Sequence, residues 1–448
     1  MIAEAISPEI LELIEAKNWN VLKELLPTLE SADIAELINR IPLPEDRVFV
    51  FRLLPKDTAA DSFSEMTAEL QEDLVAQLTN AQIKQVLTNL DPDDRTHFFE
   101  EMPPAVTRRL LDLLSVQDRK ETLELLGYPE HSVGRLMTPD YVAVKKEWSI
   151  AQALDHIRKI GKAVENFDTV YVIDNRWKLL DSINLRDIVL AQETDTVDSV
   201  MDDNFISLSA FDDQEKAVYY LDHYGAALLP VVDSAGILLG SVTFDDVFDV
   251  AREETTEDIH KSASVAPLET SYPRTGIFEL YAKRIVWLVV LVFVNTLSGA
   301  AIAGFETLIQ QVTALVFFLP LIIGSSGNAG SQAATLIVRA MAMHEVEAKN
   351  WWRLVLKDLA VSCFLGLTMG AAVSVLGILR GGYMMGLAVA LSMISVVVIG
   401  SLLGTIIPFF LRLLRIDPAT ASSPLITSIS DILGVLIFFS ISSLIIGT

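Results

Sequence analysis

The chain has one cysteine, Cys363, among 448 residues. That excludes an intramolecular disulfide framework and a cysteine-rich metal centre. Basic charge is also scarce: 34 Lys and Arg against 59 Asp and Glu leave a formal net charge of −25. Such an acidic chain repels phosphate, which excludes a nucleic-acid binder. Residues 1–30 lack a basic start followed by an apolar stretch, so no signal peptide is expected and the N-terminus is expected to stay in the cytosol. Two enzymatic signatures are missing. His344-Glu345 continues with Val346, Glu347 and Ala348, without the second His of a zinc protease. Gly161-Lys162 is followed by Ala163 and lacks the earlier Gly of a Walker A loop, which argues against an ATP-driven pump. The chain is not expected to be an enzyme.

What is present is unevenly distributed. Half the residues, 51%, are hydrophobic, and mean hydropathy is +0.41. Residues 1–270 hold 24 Lys and Arg against 52 Asp and Glu, whereas residues 271–448 hold 10 against 7. An acidic, soluble part therefore precedes an apolar one, and a single soluble globule is excluded. Five apolar runs, residues 285–305, 307–324, 354–379, 383–411 and 424–446, are each long enough to span a hydrocarbon core of roughly 30 Å. Arg274, Lys283, Arg284, Arg339, Lys349, Arg353, Lys357, Arg412 and Arg415 fall on one side of these spans and only Arg380 on the other. This bias places the acidic part inside and, after five crossings, the C-terminus outside.

Residues 1–130 read as an acidic all-α domain. Apolar residues recur at helical spacing, as in Leu70, Leu74, Leu78 and Ile83, Val86, Leu87, Leu90, and Pro punctuates the breaks at Pro27, Pro42, Pro55, Pro92 and Pro103-Pro104. Short helices stacked into a superhelix are expected. An internal duplication follows. Leu136-Met137 matches Val200-Met201 at an offset of 64, and Val172-Ile173-Asp174 matches Val231-Val232-Asp233 at 59, so the first copy carries five extra residues near 159–167. Each copy, 131–196 and 197–250, reads strand, helix, strand, strand, helix. The tandem pair resembles cystathionine-β-synthase (CBS) domains. In that family G-x-x-T-x-x-D contacts an adenine nucleotide, which here implies Thr243 and Asp246 after Gly240, with ATP as a ligand. The alternative is that both residues cap the last helix. The first copy has Asp181 and Asn184 instead, so no nucleotide site is expected there. Residues 251–275 read as a polar connecting helix leading into the first span.

Within the spans one acid lies deep, Asp431. A carboxylate at that depth costs on the order of 3 kcal/mol and points to a polar cavity or ion path. Ser423, Thr427, Asp431 and Gly434 share one helix face. A second unusual stretch, residues 320–332, ends an apolar run with Gly324, Gly327, Asn328, Gly330 and Ser331 before a short helical piece at 333–343. Irregular backbone against a lumen is expected there. The alternative is a glycine-based packing interface. Oxygen ligands without Cys or His suit a hard cation that keeps its waters, such as Mg²⁺. One carboxylate per chain compensates a dication weakly, so two chains about a two-fold axis, a homodimer, are expected.

These features, in this order, with P-L-x-x-G-x-x-G-N-x-G-x-Q and D-P-A…S-x-P…D-x-x-G, resemble the MgtE family of magnesium channels over nearly the whole chain. The resemblance implies a multidomain plasma-membrane protein: N-terminal superhelical domain, CBS pair, connecting (plug) helix and a five-helix transmembrane domain over residues 276–448. It implies a homodimer among membrane lipids, with a Mg²⁺ pore on the dimer axis. Asp431 would hold the hydrated ion, and Gly324, Gly327, Asn328, Ser331, Ser423, Thr427 and Gly434 would line the path. Ser331 and Ser423 stand where Asn is common in the family. The resemblance also implies a cytosolic Mg²⁺ sensor at Asp61, Asp93, Asp213, Glu215, Asp246, Asp249, Glu254, Glu257, Asp258 and Asp417. Bridged by Mg²⁺, the acidic faces would close and shut the pore. The alternatives are a less selective channel or transporter for Co²⁺, Ni²⁺ or Mn²⁺, or a CBS nucleotide sensor anchored in the membrane.

Overall fold

The computed structural model describes residues 2–446 apart from 163, 165, 269–271, 273–274, 344 and 347–350, with backbone alone for 2–8 and 105. Arg274, Lys349 and His344 thus lie outside the described residues. The chain forms two compact units, Met1–Glu253 and Glu254–Thr448.

The first unit begins with ten helices: α1 Ile2–Glu15, α2 Trp19–Leu25, α3 Ser31–Arg40, α4 Pro44–Leu53, α5 Lys56–Ser64, α6 Ala68–Gln77, α7 Asn80–Asn89, α8 Pro92–Glu101, α9 Pro104–Leu111 and α10 Val116–Leu125. Proline sits where a helix tolerates it: Pro44, Pro92 and Pro104 open α4, α8 and α9, and Pro55 caps α5. Most of these helices pack on the one two places on, α1 on α3, α3 on α5, α5 on α7, α2 on α4, α4 on α6 and α8 on α10. That is the stacking of a superhelix, and Leu70, Leu74, Ile83, Val86 and Leu87 are buried in its core as their spacing predicts. The buried Arg95 of α8 ties the end of the stack together, donating to Thr122 Oγ1 at 3.0 Å and to Glu121 Oε2 at 2.5 Å on α10.

A short helix, α11 Val133–Leu136, leads into the two copies. The first is β1 Ala143–Lys145, α12 Ile150–Ile160, β2 Thr169–Ile173, β3 Leu179–Asn184 and α13 Leu185–Leu190. The second is β4 Leu208–Ser209, α14 Gln214–Tyr224, β5 Leu228–Val232, β6 Leu238–Thr243 and α15 Phe244–Ser262. Both sheets have a parallel first pair and an antiparallel second pair. The copies exchange their leading segments. Val133 and Met137 are buried in the core of the second copy, whereas Val197, Val200 and Met201 pack into the first. The backbone of Thr138 exchanges hydrogen bonds with that of Ser241 at 2.8 and 2.9 Å, so the pair is one interlocked body.

The connector expected as a separate helix over residues 251–275 is instead the second half of α15, which runs without a break from the second copy and ends at Ser262. Ser264, at φ 58°, turns the chain out of the helix.

Among the described residues, the second unit contains four helices long and apolar enough to cross a membrane. These are α16 Ile277–Ala303, α18 Leu319–Ala342, α19 Trp351–Leu413 and α20 Ser423–Ile446, with a short α17 Glu306–Gln311 after α16. The run expected to span at 307–324 is broken: α17 and a 3₁₀ turn, Thr313–Phe317, precede α18. A straight helix of 63 residues would be about 95 Å long, far more than one bilayer. Gly381 and Gly382 depart from helical geometry, Gly382 at φ 76°, and α19 folds back there into two antiparallel legs. Gly377 meets Gly386, Gly370 meets Ala390 and Gly366 meets Ile394 across the hairpin.

The irregular backbone expected at 320–332 is absent. α18 passes through Gly324, Gly327 and Gly330 as one continuous helix, which also absorbs the separate piece expected at 333–343. Gly327 and Gly330 serve close helix packing, whereas Gly324 is exposed and a Cβ there would meet nothing within 4 Å. A Cβ on Gly404 would lie 2.0 Å from Gly330 O, and one on Gly400 would lie 2.4 Å from Ser326 O. Gly404→Val is therefore expected to destabilise the membrane unit by about 2–3 kcal/mol. Gly299→Ala, where a Cβ meets nothing within 4 Å, should change little. Thermal unfolding of the detergent-solubilised chain checks both, and equal behaviour of the two variants would refute the packing role.

Candidate functional site

α18 and α20 run antiparallel in contact. Ser331 Oγ lies 3.3 Å from Thr427 Oγ1, which donates to Ser423 O at 2.8 Å. A Cβ on Gly327 would meet Thr427 Cγ2 at 2.7 Å, so Gly327 is a packing residue buried against Thr427. Gly434 is likewise buried, with Ser326 Cβ 3.8 Å from where its own Cβ would be. Gly324 and Asn328, one turn apart, lie on the other face of α18, and Ser331 borders the seam. Gly324 and Asn328 are exposed and Ser331 half-buried. Asp431 follows Thr427 by one turn on the face of α20 that meets α18, and it is half-buried. Its Oδ1 atom and the neighbouring Ser430 Oγ are shielded and have no hydrogen-bond partner among the described residues.

The structure thus joins Ser331, Thr427 and Gly327 at one seam and leaves Gly324 and Asn328 facing away from the chain's own bundle. Sequence reasoning overlooked Asp358, a second acid within the apolar helices. It accepts from Ser401 Oγ at 2.9 Å and pins the two legs of α19. The folding-back of α19 brings the two together, and no local motif marks the pair.

The acids of the first unit separate by role. Asp213 caps α14, accepting from Glu215 N at 3.0 Å, and both are exposed. Asp93 is buried in the superhelix, whereas its neighbour Asp94 is half-buried beside Asp91. Burial, then repulsion from Asp91, pushes the Asp94 carboxyl up to about 6, against hydrogen bonding from Ser64. Asp91 is raised by burial and by Asp140 and Asp61, with Arg95 opposing. Asp61 is raised by burial and by Asp57. Glu65 is raised by burial and by Asp249 and Asp245 of α15. An acidic face of the superhelix therefore confronts acids of the CBS pair. Asp91, Asp94, Asp140, Asp245 and Glu65 belong to it and were missed in the sequence, because only the fold opposes residues so far apart in the chain.

In the second unit, burial and repulsion from Asp417, Glu254 and Glu257 raise the Asp258 carboxyl, with Lys261 opposing. Lys261 Nζ bonds both Glu257 Oε1 at 2.9 Å and Asp417 Oδ2 at 2.8 Å. Among the described residues, no three His, Cys, Asp or Glu side chains converge closely enough to hold a metal ion in this conformation.

Thr243 is buried at the end of β6, and its hydroxyl donates to Asp246 Oδ2 at 2.6 Å. The pair thus forms the helix-start bond weighed above as the alternative to nucleotide binding. Asp181 in the first copy is fully buried and accepts from the backbone N–H groups of Ser182, Asp202 and Asp203. It is committed to holding the crossing between the copies.

Comparison with known proteins bears on the whole chain. The profile of the MgtE divalent cation transporter family matches residues 319–441, that of the MgtE intracellular N domain matches 29–131, and CBS domains match 133–193 and 197–253. The magnesium transporter MgtE of Thermus thermophilus is 33% identical over 99% of both chains. Its namesake from Bacillus subtilis is 30% identical over 89% of this chain and 91% of its own. Among solved structures, the cytosolic domain of the Mg²⁺ channel MgtE in complex with ATP is 31% identical, with a TM-score of 0.52, covering 55% of this chain and 99% of that one. With its apolar helices and its acidic cytosolic-type domains, this multi-pass membrane protein belongs to the MgtE family of divalent cation transporters.

Proposed function

We propose that the chain is a Mg²⁺ channel that imports the ion down its electrochemical gradient and is closed by Mg²⁺ in the cytosol. The carrying observation is Asp431, a carboxylate in an apolar helix whose shielded Oδ1 has no partner among the described residues. Such a group needs a cation or water. The outward face of Gly324 and Asn328, bordered by the half-buried Ser331, supports a path completed by a second copy, since one chain exposes Gly324 and Asn328 instead of enclosing them. A homodimer would bring two Asp431 carboxylates to one axis and match the charge of a dication. Neutral oxygens of Asn328, Ser331, Ser423 and Thr427 suit a magnesium ion that keeps its water shell. Gly327 and Gly434 would act by letting α18 and α20 approach. In this reading the two legs of α19 give five crossings, with the N-terminus cytosolic and the C-terminus outside, in a plasma membrane.

The sensor is electrostatic. Apposed carboxylates raised by burial and mutual repulsion store an unfavourable energy that a bridging dication relieves. Mg²⁺ bound preferentially by the compact state then shifts the equilibrium toward it. Asp61, Asp91, Asp94, Asp140, Asp245 and Asp249 would act in the first unit, and Glu254, Glu257, Asp258 and Asp417 in the second. Asp93 is buried in the superhelix, Asp213 caps α14, Asp246 shares the Thr243 bond, and Glu215 is exposed beside Asp213 as a further candidate ligand. An adenine nucleotide at the second CBS copy would have to take over that bond, with Thr243 and Asp246 turning to the ribose and phosphates.

Three outcomes are expected. Asp431→Ala should lose at least tenfold in Mg²⁺ uptake and fail to rescue growth of magnesium-transport-deficient cells; rescue equal to the parent would refute the pore assignment. Millimolar Mg²⁺ should protect the acidic domains of the full-length protein from protease, and unchanged cleavage would refute the sensor. Acidification should weaken that protection. A carboxyl raised from 3.8 to about 6 is ionised only above pH 6, and its protonation below that favours the metal-free fold while opposing the dication. Between pH 7 and 5 the half-protecting Mg²⁺ concentration should rise, and Asp94→Asn should flatten the rise. A pH-independent midpoint in the parent would contradict the role of this face.

A further inference from the structure

Asp417 is fully engaged without a metal. Its Oδ1 caps the turn before α20, accepting from Ala419 N at 2.8 Å, and its Oδ2 holds Lys261 Nζ at 2.8 Å. Lys261 stands in the last turn of α15, where a cation is favoured by the helix dipole, and it also bridges back to Glu257. One turn of chain further on, the buried Ser264 Oγ lies 2.6 Å from Ser422 Oγ, immediately before α20. The end of α15 is therefore fastened to the start of α20 by an ion pair and a buried hydrogen bond, with no dication involved. The segment so fastened leads directly into the helix that carries Asp431.

We propose that Lys261 is a tethered counter-ion: its ammonium occupies the place of a dication among Glu257, Asp258 and Asp417 and keeps the connector docked on the 417–422 turn when Mg²⁺ is absent. Lys261 is thus a positioning residue for the gate. The burial of Asp258 beside the same acids agrees, since Lys261 opposes the repulsion there. Glu257 and Asp417 bond the one ammonium and Asp258 stands beside them, so three carboxylates share a single cation and leave a demand for positive charge that Mg²⁺ would meet. The inference rests on the reading of these carboxylates as a Mg²⁺ sensor, but its metal-free arm stands by itself.

The test is disulfide cross-linking of full-length protein carrying Ser264→Cys and Ser422→Cys on a Cys363→Ala background, read as the linked peptide by mass spectrometry. In EDTA the parent should cross-link readily. Lys261→Gln should do so at least fivefold more slowly, and Lys261→Arg, which keeps the charge, at close to the parent rate. Mg²⁺ should restore the rate of Lys261→Gln. A parent that cross-links only with Mg²⁺, or a Lys261→Gln variant as fast as the parent in EDTA, overturns the proposal. Slow cross-linking of both Lys261→Gln and the charge-keeping Lys261→Arg overturns it too, because the residue would then be needed for local folding and not as a charge. If Lys261→Arg keeps the parent rate and Lys261→Gln stays slow with and without Mg²⁺, the tether stands and the sensor reading falls.

Discussion

An excess of 25 negative charges must be met by cations, by burial with hydrogen bonds, or by separation, and the organisation of this molecule follows from how each acid is met. A few have a dedicated cation. Arg95 serves Glu121, and Lys261 serves Glu257 and Asp417. Others are satisfied by backbone: Asp181 by three N–H groups, Asp213 and Asp417 by the turns they cap. Glu65, Asp91 and Asp94, where the superhelix faces the CBS pair, are held at raised proton affinity by burial and by neighbouring carboxylates. Asp431 Oδ1 has none of these provisions among the described residues. In the proposed channel these are the acids through which a dication would act.

Much of this was legible in the sequence because it rests on periodicity. Helical spacing marked the superhelix, and offsets of 64 and 59 marked the duplicated strands and helices: α12 and α14 begin 64 residues apart, β2 and β5 59 apart. Hydropathy marked the apolar helices. What stayed hidden depends on non-local packing. Gly324, Gly327 and Gly330 read as a break because glycine weakens an isolated helix. In the fold, the close approach of α19 and α20 favours a straight α18 instead. The same applies to Asp94, which the sequence does not distinguish from Asp93. Only the orientation of α8 sends one into the core and the other toward Asp91. Lys261 and Asp417 are 156 residues apart, and Asp358 and Ser401 meet only because α19 folds back.

Packing and function are coupled in the membrane unit through those small residues. Where α18 lies against α19, backbone atoms approach so closely that no side chain fits between them at Gly400 and Gly404. That closeness commits one face of α18 to the bundle and leaves Gly324 and Asn328 on the other, with Ser331 at its border. A polar face directed away from its own bundle, in a unit otherwise covered by exposed Val, Leu and Phe, is unfavourable in lipid unless another surface covers it. α16 presents the same problem in apolar form, since none of its residues is buried by the chain itself.

The two conditions point to one solution. A second copy that covers the polar face of α18 would enclose Asn328 and Ser331 against their counterparts and place two Asp431 carboxylates around the enclosed space. Lipid could cover α16, but it could not cover the polar face without leaving amide and hydroxyl groups unsatisfied. The seam between Ser331 and Thr427 then does more than join two helices: it fixes how far α20 projects Asp431 toward that space. In the proposed channel a connector fastened at Ser422 would act on the first residues of the same helix, and a displacement of α15 by one carboxylate–cation contact would reach Asp431 through two turns of continuous helix, with no flexible joint between them.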